Sequence, residues 1–558
     1  MKAWTLPLLL AVCLPADASA QTRIPSAGET IEVSIVNVDV VVTDRHGNHI
    51  RGLTAADFEI RDNGVPQPIT NFAEYNDDGV RGPATPAPAE GGAPTAVSAP
   101  QRAREKRTLV LFVERQVLKP AQADSFVASL KKLLHETMRT GDTAAVVSFR
   151  FVPKVEQDFT GDLTRLEAAI DRLRPMFDRF GENIEGEVIR NAYLQELDAE
   201  VTAAGGGSAD LRTSPTLKGT DRAQREFLDI RRKVQMLNML VNVMAGVDGR
   251  KAIFLATRRF GKYAGCEFIC HGLGPPNDDM LFFDTEKLRE SLTRNANAAG
   301  VTFYPVYPEG VVEVPLANVE QGRLTRSQLY GTTPISWQRL GQTDVVVLNE
   351  TKSIGDLAAR TGGVVGWGFG DVAKIASAVR EDLGAYYSLA FRTPKGMETH
   401  KITVKSNHGY TVRARSEVVE KTDEMMMSDR VLAALYQPQR GSAIPVDVQV
   451  LGKKKVKLGY RIPIVIRIPA ASLTALPDAG GRSGVFRVYC AAGGTLGVNS
   501  DVHEQSQPFT IPAGAKDAAT KIFTYSFEML TDTRSDRIVI GIYDDLSKQY
   551  GVVRVMLD

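Results

Sequence analysis

Three short stretches set the hydrophobic pattern of this chain. Arg107 to Val117 (RTLVLFVERQV), Asp142 to Arg150 (DTAAVVSFR) and Arg250 to Thr257 (RKAIFLAT) are nearly continuous apolar runs closed by polar or charged residues. A run with no polar face suits a strand covered on both sides, as in a parallel sheet between helical layers. Amphipathic stretches lie between them. Ala121 to Met138 carries Phe126, Leu130, Leu133 and Leu134 at helical spacing, and Leu163 to Leu173 carries Leu166, Ile170 and Leu173. Arg222 to Val247 carries Phe227, Ile230, Val234, Leu237, Leu240 and Val241, the stripe expected of a helix packed on a core. Strands are further predicted over Val152–Phe159, Val301–Val306 and Tyr386–Phe391, and helices over Thr285–Ala298, Ile354–Arg360 and Val372–Leu383. Residues 107–395 therefore read as an α/β unit with insertions, one of them the polar, irregular segment Glu309 to Leu348. In such sheets ligands bind where the strands end and the loops leave. After the first strand that loop is Glu114 to Leu118.

The flanks have a different period. Ile31 to Thr43 alternates like a half-buried strand, the Asp44 to Asn48 stretch supplies turn residues, and Phe58–Arg61, Asn63-Gly64 and Gln67–Phe72 read as strand, turn, strand. Residues 28–75 thus read as a small β module. Residues 76–106 are rich in Pro, Ala and Gly without periodic apolar positions, a linker composition. In 396–420, Ile402–Lys405 and Tyr410–Ala414 read as a hairpin across Asn407-His408-Gly409. From 421 to 558 strand-like runs separated by Gly, Pro and Asp turns predict a β-sandwich of immunoglobulin-like type.

With 558 residues the chain exceeds what one core organises. Lys and Arg number 67 against 66 Asp and Glu, a net charge of +1, so no long-range field draws nucleic acid and that class of partner is set aside. Met1-Lys2, the apolar Leu6 to Leu14 and the small-x-small Ala18-Ser19-Ala20 have the form of a secretory signal, cleaved before Gln21. A secreted or periplasmic protein is the expectation. Leu10-Ala11-Val12-Cys13 is a poor lipoprotein box because of Val12, and no later stretch has the ~20 apolar residues of a transmembrane helix. Of the 4 Cys, Cys266 and Cys270 are close enough to close a small disulfide loop in an oxidising compartment, while Cys490 reads as a buried small hydrophobe.

One family resemblance joins these pieces. The text Val38 to Asp44 (VDVVVTD), then Gly47, Gly52 to Phe58 (GLTAADF) and Asp62-Asn63-Gly64 resembles the secreted von Willebrand factor A-related family abundant in acidobacteria. The similarity continues through Leu109–Val113, Gly141-Asp142, Val146 to Phe149, Gly249-Arg250-Lys251, Tyr386-Tyr387 and Val412 to Arg415, and covers roughly residues 30 to 416. It implies a von Willebrand A fold, a mostly parallel sheet between helical layers, with a metal-dependent adhesion site at the sheet top. That site would hold Mg²⁺ through oxygen ligands from several loops and leave a position for an acidic group of a protein partner. The family pattern has Asp-x-Ser-x-Ser after the first strand, Thr in the second loop and Asp after the fourth strand. Here Glu114 is followed by Arg115, both serines are absent, Asn183 stands near the expected Thr, and Thr257 is followed by Arg258-Arg259 where an Asp is due. Cations where an anion belongs oppose a divalent ion. The expectation is a degenerate site with no cofactor, in which the arginines receive a carboxylate directly. The alternative keeps Glu114, Asn183 and Thr257 as a rearranged Mg²⁺ site.

Other chemistry finds little support. Cys266-x-x-x-Cys270-His271 has one residue too many for haem attachment, and His135-Glu136 lacks the second His of a helical zinc motif. No nucleophile elbow or phosphate-cradling loop is present. His46 and His49 flank a Gly-Asn turn and are expected on its surface. The leading expectation is a secreted, non-catalytic protein-binding or surface-scaffold protein. Metal-dependent adhesion through Glu114 comes second, and an unrecognised secreted hydrolase using the Glu309 to Leu348 segment third.

Overall fold

The computed structural model describes residues 33–76, 79–81, 106–114, 120–150, 152–176, 217–257, 260–269, 278–307, 342–367, 372–394, 399–437, 442–457, 459–478, 481–494, 499–513, 521–532 and 535–557. The chain is a mixed α/β protein. Its first strands, β1 (Val33–Thr43), β2 (Phe58–Asp62), β3 (Val65–Gln67), β4 (Asn71–Asn76) and β5 (Gly79–Arg81), do not form a module of their own. β1 and β4 both pair with a strand more than three hundred residues later, Tyr386–Pro394. The turn between β2 and β3 is Asn63-Gly64, both at positive φ (49° and 85°), which matches strand twist in a two-residue hairpin.

The central sheet contains β6 (Arg107–Glu114), β7 (Thr143–Arg150), β8 (Val152–Thr160), β9 (Arg250–Ala256), β10 (Val301–Tyr307) and β11 (Gly366–Trp367) in the order β11-β10-β9-β6-β7-β8. All neighbours are parallel except the edge strand β8, which is antiparallel to β7. Counted along the chain this is the doubly wound order 3-2-1-4-5-6. Seven of the eight residues of β6 are buried because helices cover both faces. One layer holds α1 (Pro120–Thr137), α2 (Leu163–Leu173) and, further along the chain, Val372–Gly384; the other holds α3 (Leu217–Ala245), α4 (Glu286–Ala299) and α5 (Gln342–Arg360). The Asp162 carboxylate caps α2 by accepting from the Thr164 and Arg165 amides. Helix α5 begins well before the predicted Ile354, and the helix Val372–Gly384 is α6.

The strand Tyr386–Pro394 is β12, followed by β13 (Thr399–Ser406), β14 (Thr411–Ala414) and β15 (Glu417–Val419). Here the expected hairpin is corrected. β13 pairs with β2 and β15, whereas β14 pairs with β1, so the two strands belong to different sheets. The reason lies in the turn: the Asn407 side-chain amide donates to the Ala56 carbonyl at 2.8 Å and the His408 Nε2–Asp57 Oδ1 contact is 2.6 Å. Tied to the β1–β2 connection, the turn splays its strands across a sandwich of β14-β1-β12-β4-β5 on β15-β13-β2-β3. The expected strand Gln67–Phe72 is likewise divided between these two sheets. Val36, Val38, Val40, Phe58, Ile60 and Leu389 form the core between them.

Helix α7 (Asp423–Tyr436) leads to the C-terminal strands β16 (Asp447–Val450), β17 (Lys454–Val456), β18 (Gly459–Pro469), β19 (Leu476–Asp478), β20 (Gly481–Gly493), β21 (His503–Pro512), β22 (Ile522–Thr531), β23 (Arg537–Asp544) and β24 (Tyr550–Met556). They make two antiparallel sheets whose Ile464, Ile466, Val488 and Ile540 share a core with Cys490. Burial pushes the Cys490 thiol up to about 11, so it packs as an apolar group. Helix α7 rests on α3, where a Cβ on Gly246 would come within 2.2 Å of the Asp429 carbonyl oxygen. Gly246→Ala is therefore expected to destabilise the protein by about 1–3 kcal/mol through overpacking, read as a lower urea midpoint; an unchanged midpoint would mean that α7 shifts freely.

Candidate functional site

Parallel pairing of β6 with β9 aligns Val113 with Ala256, which sets the next residues, Glu114 and Thr257, side by side at the carboxyl ends of the central strands. Thr257 is fully buried, and its amide donates to the Val306 carbonyl at 3.2 Å. Its hydroxyl donates to Glu114 Oε2 at 2.7 Å. The same carboxylate oxygen accepts from Lys233 Nζ at 2.7 Å, and Lys233 Nζ also donates to Thr257 Oγ1 at 3.1 Å. Lys233 comes from the middle of α3 and is 1% exposed. The Phe149 and Phe260 rings each lie 5.8 Å from its ammonium, close enough for cation–π attraction.

The surroundings fix this cradle. Phe149 is aligned with Glu114 across β6 and β7. The Phe260 amide donates to Glu350 Oε2 at 2.7 Å, while Asn349 of α5 receives the Tyr263 amide at 2.8 Å and donates to the Tyr263 carbonyl at 2.9 Å. One turn before Lys233, burial pushes the Asp229 carboxyl above its ordinary value against the pull of Arg232 and Lys233, with Glu114 adding to the rise. Glu114 is thus already paired with an internal cation, Lys233.

Of the residues singled out in the sequence, Glu114 and Thr257 are brought into direct contact. Arg115, Asn183, Arg258 and Arg259 lie outside the described residues, as does Cys270. Cys266 is disulfide-bonded and 3% exposed. Lys233 was missed, although a signal was present: it falls three residues after Ile230 and four before Leu237, on the apolar stripe of its helix. A lysine on a buried stripe requires a partner. His49 also departs from expectation. Its ring is turned inward with Nε2 3.0 Å from Asp382 Oδ1, and only His46 remains on the turn surface.

As a metal site these donors fit poorly. Mg²⁺ asks for near-octahedral oxygen ligation, whereas one carboxylate oxygen, one hydroxyl and two ring faces suit an ammonium. Among the described residues no group of three or more His, Cys, Asp or Glu side chains could hold a metal ion, and no helix is long and apolar enough to cross a membrane.

No family model and no curated protein matches the chain. Among solved structures it is similar to proximal thread matrix protein 1 from the mussel byssus, at 10% identity and a TM-score of 0.20, over 52% of this chain and 48% of that one. It is also similar to a von Willebrand factor type A protein from Catenulispora acidiphila, at 9% identity and a TM-score of 0.25, over 60% and 71% of the two chains. The manganese-loaded TRAP protein of Plasmodium vivax follows at 10% identity and a TM-score of 0.20, over 57% and 96%. The chain thus spans about half the length of the byssus protein. At these scores the likenesses carry no weight for function, and the doubly wound strand order stands on the chain's own pairing.

Proposed function

We propose that this is a secreted, non-catalytic protein-binding or surface-scaffold protein, built on a von Willebrand A-like unit in which an internal ion pair replaces the metal of the adhesion site. The observation that carries the reading is the Lys233 ammonium between Glu114 and Thr257. A divalent ion drawn to Glu114 would meet that charge: for charges of two and one ~4 Å apart at an effective dielectric of ~20, the repulsion is on the order of 8 kcal/mol. Partner capture by this protein is accordingly independent of Mg²⁺, and export on the leader of residues 1–20 belongs to the same proposal. Calorimetric titration of residues 21–558 with Mg²⁺, Mn²⁺ and Ca²⁺ tests it. No saturable heat is expected. Saturable binding abolished by Glu114→Ala would instead establish the second reading, metal-dependent adhesion, which the convergence of Glu114 and Thr257 favours and which requires Lys233 to leave.

A further inference from the structure

At the opposite end of the central sheet from Glu114, where β9 and β10 begin, a cleft of about 380 Å³, its open mouth included, separates the α/β unit from the N-terminal sandwich. Arg250 lines it from the α/β side, and Asp39, Arg413 and Arg415 from the sandwich. Two of the three arginines have carboxylate partners. Arg413 grips both oxygens of Asp382 at 2.7 Å, and Arg250 donates to Asp39 Oδ2 at 2.9 Å while its guanidinium lies 4.2 Å from the centre of the Tyr386 ring. Arg415 is placed differently. Among the described residues it donates only to the backbone carbonyls of Asn297 at 3.2 Å and Asn37 at 3.3 Å, and no carboxylate lies within ion-pair distance of it.

A second cation shares that helix end. Lys251 Nζ donates to the carbonyls of Ala299 at 3.0 Å and Ala245 at 3.4 Å. Burial, together with Lys421 and Arg415, pushes the Lys251 ammonium down to about 8, against the opposing pull of Asp248 and Asp429. The carboxyl ends of α3 and α4 each offer about half a negative charge, together less than the two positive charges of Arg415 and Lys251. Burial and the charge of Arg250 hold the Arg415 guanidinium below its usual value despite Asp39. In the cleft itself Arg250, Arg413 and Arg415 face the two carboxylates of Asp39 and Asp382, which leaves one positive charge in excess. Gly300, at φ +67°, leaves room beside it, since a Cβ there would stand 3.4 Å from Arg415 Nη1.

We propose that this cleft binds a small oxyanion, with Arg415 as its principal ligand. A guanidinium facing an oxyanion forms charge-assisted bonds that backbone carbonyls cannot replace. The walls come from two units of the fold, so the bound anion clamps the sandwich to the α/β unit and stabilises both. This site is independent of the reading given to Glu114 and Lys233.

The test is thermal denaturation of the full chain with sodium phosphate, sulfate or acetate, each compared with sodium chloride at matched ionic strength. A saturable rise in Tm with at least one oxyanion, beyond the chloride response, is expected. Response to phosphate or sulfate assigns an inorganic oxyanion, and response to acetate alone a carboxylate. Arg415→Gln is expected to weaken the apparent affinity at least about tenfold, with Arg415→Lys intermediate and both variants checked for native circular dichroism. Equal responses to all salts, or an Arg415→Gln variant that titrates like the wild type, would overturn the proposal. The wild-type salt comparison decides even if the variants do not fold.

Discussion

Glu114→Ala is expected to destabilise the protein by about 3–5 kcal/mol, the usual cost of removing one partner from a buried ion pair. Lys233 is 1% exposed, and Glu114→Ala removes the carboxylate that sits 2.7 Å from its buried ammonium. Lys233→Met is expected to cost less, because Glu114 retains the Thr257 hydroxyl and 15% exposure. The double variant Glu114→Leu/Lys233→Met should recover most of the loss, since a packed apolar pair of similar volume needs no desolvation of charge. Urea denaturation of the wild type, Glu114→Leu, Lys233→Met and the double variant forms a double-mutant cycle. Additive single effects would mean that Glu114 and Lys233 do not act as a pair, and the account of the sheet end would fall with them.

The strands that position this pair were legible because burial on both faces erases alternation: Leu109 to Val113 can be nothing but interior, and the polar residue after such a run marks the loop end. Glu114 and Thr257 followed directly from that. Lys233 did not, because helix periodicity says which side of α3 is inward but not what a lone lysine there will meet. The partner of β1 was hidden for a different reason. Alternation marks Val33–Thr43 as a strand, yet its pairing with Tyr386–Pro394 is settled by packing across three hundred and fifty residues, about which local pattern is silent. In the case of Asn407-His408-Gly409 the local signal misled, because turn chemistry reports that the chain reverses and not that the two arms share a sheet. His49 was misplaced by the same reasoning, since a residue beside an exposed turn can still point inward to a buried carboxylate.

That carboxylate, Asp382, carries the second large effect. It is fully buried at the end of α6 and holds four contacts: three reach across the junction to the sandwich, from both Arg413 terminal nitrogens at 2.7 Å and from His49 Nε2 at 3.0 Å, and the fourth, from the Tyr304 hydroxyl at 2.9 Å, lies within the α/β unit. Asp382→Asn is expected to cost about 3–5 kcal/mol, because the amide removes the negative charge opposite a largely buried guanidinium and turns an acceptor into a donor. Acid should reproduce part of this loss in the wild type. Burial alone would raise the Asp382 carboxyl, but the hydrogen bond from His49 and the charge and hydrogen bonds of Arg413 outweigh it, and it lies below its ordinary 3.8. A carboxyl depressed in the folded state contributes its full stability above the unfolded value of about 3.9 and loses it as pH falls through the lower folded value. The gap in unfolding free energy between wild type and Asp382→Asn should therefore be level from neutral pH to about 5 and narrow below about 4. Urea midpoints at a series of pH values measure it. A gap that stays constant into acid would show that Asp382 owes its effect to shape and not to charge, and that the junction is not held by this ion pair.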